Sequence, residues 1–99
     1  MYVGTLSFDL LLGDVHSLKE KRSIVRPILA ELQRKYAVSA AEVGGQDLHR
    51  RAEIGLAVVS GDVGHCTDVL DRCERLVAGR PEVELLSVRR RYHGGGDGD

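Results

Sequence analysis

A chain of 99 residues can build one hydrophobic core without metal or disulfide staples, and is too short for two. With 14 Lys+Arg against 15 Asp+Glu, 42% hydrophobic and 29% charged residues, its overall charge does not supply nucleic-acid binding, so any such role rests on local clusters of charge. No apolar run approaches the roughly 20 residues of a membrane span, and Met1-Tyr2-Val3-Gly4-Thr5-Leu6 lacks the basic lead of a secretory signal; a cytoplasmic protein is expected.

From Tyr2 to Leu12, Leu6, Phe8, Leu10 and Leu12 alternate with Thr5, Ser7 and Asp9, the period-two pattern of a strand with one buried face. Gly13 and Asp14 make a turn. Ser17, followed three residues later by Glu20, reads as a capping box that opens a helix near Leu18. Its apolar stripe is Leu18, Val25, Ile28, Leu29, Leu32 and Tyr36, and its opposite face is basic. Pro27 falls inside this pattern, where it removes a backbone hydrogen bond and predicts a kink.

Val38 to Val43 and Arg51 to Val59 read as two strands of an antiparallel hairpin, joined by the polar connection from Gly44 to Arg50. Ser60-Gly61-Asp62 introduces a second helix with the stripe Val63, Cys66, Val69, Leu70, Cys73, Leu76 and Val77. Asp68 with Arg72 and Asp71 with Arg75 are spaced as helix-surface pairs, and Gly79 with Pro81 ends the helix. Cys66 and Cys73 lie about 10 Å apart along the helix axis, too far for a mutual disulfide, and read as reduced core residues. A last strand runs from Val83 to about Arg90. Residues 1–93 form one domain on this reading, and residues 94–99, glycine and aspartate alone after Gly94, form a disordered tail.

The order strand, helix, strand, strand, helix, strand is that of an α+β, ferredoxin-like βαββαβ domain: a four-stranded antiparallel sheet with both helices on one face. The other face stays open. Val3, Thr5, Ser7 and Leu11, with Gly55, Ala57 and Val59, are expected to line it, small and fairly apolar, and a second copy of the chain is one occupant that fits.

Catalytic chemistry finds little support in these residues. His16, His49, His65 and His93 fall on separate segments, so no metal-ligand spacing exists, and no cofactor is implied. Both cysteines belong to an apolar stripe and so are poor nucleophiles. A base-stacking sheet of the RNA recognition motif type needs aromatics on the central strands, which Arg51 to Val59 lacks. An acylphosphatase needs an asparagine, and the chain contains none. A small-ligand regulatory domain of the ACT type would use the loop at Gly13, Asp14 and Val15, where nothing distinctive stands.

The positive signal is basic. Lys19, Lys21, Arg22, Arg26, Arg34 and Lys35 lie on the first helix, Arg50 and Arg51 beside the hairpin loop, and Arg89, Arg90 and Arg91 on the last strand. Brought together, they would form a phosphate-binding stripe for structured RNA, with Tyr92 as a stacking residue. Ser17 and Glu20 are expected to serve as helix caps.

His16-Ser17-Leu18-Lys19-Glu20-Lys21-Arg22 and Val38-Ser39-Ala40-Ala41-Glu42-Val43, followed by Gln46-Asp47-Leu48-His49-Arg50-Arg51-Ala52-Glu53-Ile54-Gly55, resemble the bacterial YlxP-like family, a domain of unknown function, across nearly the whole chain. The resemblance implies a small ferredoxin-like protein with no established activity. It also implies proximity to the ribosome, because members are often encoded beside translation initiation and ribosome-maturation factors. Ser17, Lys19, Glu20, Lys21, Arg22, Gln46, Asp47, Arg51 and Glu53 are the positions it marks. The chain departs at His49, where the family often has tryptophan. Two readings follow: a non-enzymatic binding factor for structured RNA or a ribosomal assembly, or a homodimeric interaction or small-anion-binding module without RNA.

Overall fold

In the first strand, β1 (Tyr2–Leu12), the even-numbered residues from Gly4 to Leu12 are buried and the residues between them half-buried, because successive side chains of a strand point to opposite faces. The computed structural model describes residues 1–95 of the chain. Its further elements are α1 (Leu18–Tyr36), β2 (Ser39–Gly44), β3 (Arg51–Ser60), α2 (Val63–Ala78) and β4 (Val83–Gly94). The strands pair antiparallel in the order β2-β3-β1-β4. This is the ferredoxin-like α+β arrangement expected from the element order.

The core lies between the sheet and the helices. Leu6, Phe8, Leu10 and Leu12 of β1 and Ala52, Ile54, Leu56 and Val58 of β3 meet Val25, Ile28 and Leu32 of α1 and Cys66, Val69, Leu70, Cys73 and Val77 of α2. Helix α2 approaches β1 at Gly4, where a Cβ would stand 2.9 Å from Leu70 Cδ1. Ser17 caps α1 by accepting the Glu20 N–H at 3.1 Å, and Asp62 caps α2 by accepting the Gly64 N–H at 2.9 Å.

Several local expectations change. Pro27 does not end helix α1, which continues to Tyr36, and Pro27 and Ser23 both lie on its exposed side. Asp71 pairs with Arg90 of β4 at 2.9 Å rather than with Arg75, while Asp68 and Arg72 pair at 3.1 Å as expected. Strand β4 continues past Arg90 to Gly94, with Tyr2 opposite Gly94 and the Gly95 N–H donating to Met1 O at 3.0 Å. The expected tail therefore holds two ordered residues at its start, and its remainder lies outside the described residues.

Candidate binding surfaces

The basic residues do not converge on one patch. Lys21 is buried, at 2% exposure, and stands in the apolar stripe of α1 between Leu18 and Val25. Its ammonium donates to Gly45 O and to Leu48 O (2.8 Å) and pairs with Glu42 at 2.8 Å. Three protons thus meet three acceptors, which is what a buried ammonium requires. Lys21 pins the β2–β3 connection to α1 and offers nothing to a phosphate, correcting its place among the binding candidates.

Other candidates are also engaged within the protein. The Arg50 Nε–H donates to Gly13 O at 3.0 Å and to Leu12 O at 3.3 Å, tying the end of β1 to the start of β3. Arg51 donates to Asp9 at 2.7 Å across the open face. Arg34 and Lys35 both lie 3.8 Å from Glu31, a loose surface contact that leaves them largely solvated. Alternation along β4 divides the arginine triplet. Arg90 turns to the helix side, where Asp71 and Glu74 hold it at 2.9 and 3.2 Å, while Arg89 and Arg91, opposite Ser7 and Thr5 of β1, turn to the open face. Tyr92 shares the helix side with Arg90; its hydroxyl lies 3.0 Å from Thr67 Oγ1 and accepts from Arg90 at 3.4 Å. Those two hydrogen bonds, Thr67 first, lower the phenol below its ordinary value. Tyr92 therefore does not stand as a stacking partner beside Arg89 and Arg91.

Among the described residues, Lys19, Arg22, Arg26, Arg89 and Arg91 form no ion pair. They make two surfaces. Lys19, Arg22 and Arg26 are exposed along one line of α1, on the solvent side of the helix layer. Arg89 and Arg91 lie on the opposite side of the molecule, on the sheet face that no helix covers.

That open face is more polar than the sequence suggests, because β4 and the ends of β1 and β3 bring charge to it. At the Leu11 end a cavity of about 310 Å³ is lined by Ser7, Asp9, Gly45, Leu48, Arg51, Glu53, Ser87 and Arg89. Arg51 is taken by Asp9, and Glu53 accepts the Ser7 hydroxyl at 3.0 Å, so its polar groups largely satisfy one another. Gly45, at φ +70°, and Leu48 wall this cavity with the same residues whose carbonyls hold Lys21. Toward the other end the face is small-featured: Thr5, Ser39, Ala41, Gly55 and Ala57 floor a shallow depression beside Val43.

Period two along β4 was the available signal for separating Arg90 from its neighbours, and the position of Lys21 within the stripe was the signal for its burial. The cavity's assembly from the ends of three strands has no mark in the sequence. Among the described residues no group of three or more His, Cys, Asp and Glu is placed to hold a metal ion, and no helix is long and apolar enough to cross a membrane. Cys66 and Cys73 are fully buried, and burial pushes the Cys73 thiol up to about 11, which keeps it protonated and unreactive near neutral pH.

The fold matches two designed proteins: De novo designed protein Foldit4, at a TM-score of 0.57 and 13% identity over 97% of this chain and 100% of that one, and De novo designed protein LFR1 1 with ferredoxin fold, at 0.51 and 13% over 100% and 91%. These likenesses concern the fold alone. The chain belongs to the family described as Protein of unknown function (DUF503), whose model matches residues 3–90. It is 32% identical over 90 residues to Uncharacterized protein YlxP of Bacillus subtilis (strain 168), covering 91% of this chain and 98% of that protein.

Proposed function

We propose that this protein is a non-enzymatic cytoplasmic binding factor that docks structured RNA, alone or in a ribosomal assembly, through the exposed cations of α1. The observation that carries the reading is the line Lys19, Arg22 and Arg26: exposed, spaced by three and four residues, and without an acidic partner among the described residues. Lys21, Arg50, Arg51 and Arg90 are engaged within the protein, and Arg89 and Arg91 lie on the far side of the molecule, so Lys19, Arg22 and Arg26 are the unpaired cations of the helix layer among the binding candidates. Three cations over about 10 Å of helix match the spacing at which a nucleic-acid strand presents successive phosphates. Contacts of this kind read backbone and shape rather than sequence, which suits a surface without aromatic residues.

The test is a salt titration of binding to purified ribosomal RNA. Replacing Lys19, Arg22 and Arg26 together by Glu is expected to weaken binding at least tenfold at low salt and to reduce the slope of log K against log salt by about 2 to 3. Lys21 is left intact, since removing it would damage the fold. Unchanged affinity and slope in the folded triple variant would overturn the reading.

A further inference from the structure

We infer that the open face of the sheet is a self-complementary interface on which a second copy of this chain stacks with its strands antiparallel. Apolar side chains crowd this face or its rim: Val43 is 53% exposed, Val59 64% and Leu86 40%, with half-buried Val3 and Leu11 between them. Its centre, Ser7, Gly55, Ala57 and Ala41, carries only small side chains, so another sheet can approach to the roughly 10 Å of face-to-face packing. Three strands of 10 to 12 residues and one of 6 give a footprint of roughly 600 Å² per copy, somewhat below the ~800 Å² per partner of standard stable interfaces.

Charge selects the occupant and its orientation. At the Leu11 end the face carries Asp9, Glu53 and Glu84 around the guanidinium of Arg51; Arg89 stands at the centre opposite Ser7, and past the centre the face carries Arg91 with no carboxylate among the described residues. A two-fold axis lying in the interface and running across the strands reverses the sheet end for end. It sets β4 over β4 of the copy, so that Arg91 of each chain faces Glu84 of the other. An axis along the strands would put carboxylates over carboxylates. The polarity of one face thus matches its own rotated image, the condition for an isologous dimer. This inference stands apart from the RNA reading, whose cations lie on the far side of the helix layer.

The test is molar mass by sedimentation velocity on nuclease-treated full-length protein across the micromolar to submillimolar range. A mass of twice 10.8 kDa is expected. Ala57→Lys at the face centre should yield monomer. Arg91→Glu and Glu84→Arg should each raise the dimer dissociation constant about tenfold, and the double variant Arg91→Glu/Glu84→Arg should restore it, a rescue that loss of folding cannot mimic. A wild type that stays monomeric throughout overturns the inference. So does a dimer that these charge reversals leave unmoved, because that dimer is built on another surface or in another orientation.

Discussion

A buried ammonium is tolerated only when every proton has an acceptor, and Lys21 meets that condition with two loop carbonyls and Glu42. Glu42 Oε2 has no hydrogen-bond partner apart from its 2.8 Å ion pair with Lys21, so removing the lysine strands a half-buried carboxylate as well as both carbonyls. Lys21→Met is expected to cost about 3 kcal/mol in denaturant unfolding, and Lys21→Met/Glu42→Gln to recover about 1 kcal/mol of it; a loss under 1 kcal/mol for the single variant would mean water replaces the ammonium. Cys73 gives a pH signature. Its thiol rises from the ordinary 9.0 to about 11 through burial, so between those values the unfolded chain loses the proton first and binds fewer protons than the folded one. Stability should therefore be intact below pH 9 and fall as pH rises toward 11, by at most about 1.4 kcal/mol per unit. Comparing the alkaline slope of wild type with that of Cys73→Ala isolates the thiol, and equal slopes would contradict its burial as the cause.

At the scale of elements, α1 shows how packing overrides local preference. Its buried stripe of Val25, Ile28 and Leu32 holds the helix through Pro27, where propensity alone costs about 3 kcal/mol. The helix then ends on Ala37 at φ +51°, in a left-handed conformation that glycine adopts without penalty and alanine does not. Ala37 is exposed, so Ala37→Gly is expected to stabilise the protein by about 0.5 to 1 kcal/mol, read as a higher unfolding midpoint at unchanged m value; a lower midpoint would show that the alanine methyl contributes packing. In β4 the sequence suggests an end near Arg90, because apolar alternation stops there. The strand nevertheless extends to Gly94, since Met1 and the start of β1 supply backbone partners, and main-chain pairing does not require apolar side chains.

Over the whole molecule, two layers give two surfaces. The helix layer turns Lys19, Arg22 and Arg26 outward, and the sheet turns out a face with apolar residues at its rim and opposite charges at its two ends. A single basic patch, as the charge clusters suggested, would need one side of the molecule to collect both sets, and the sheet lies between them. The order and kind of elements, the buried face of β1 and β3, the cap at Ser17 and membership of a ferredoxin-like class were legible in the sequence, because hydrophobic period and capping chemistry are local and written in neighbouring residues. The fate of each charge is set by long-range packing. Whether Lys21, Arg51 or Arg90 meets solvent or a carboxylate depends on Glu42, Asp9 and Asp71, residues from 19 to 42 positions away, and strand register and helix docking, which no local pattern encodes, bring those partners within reach.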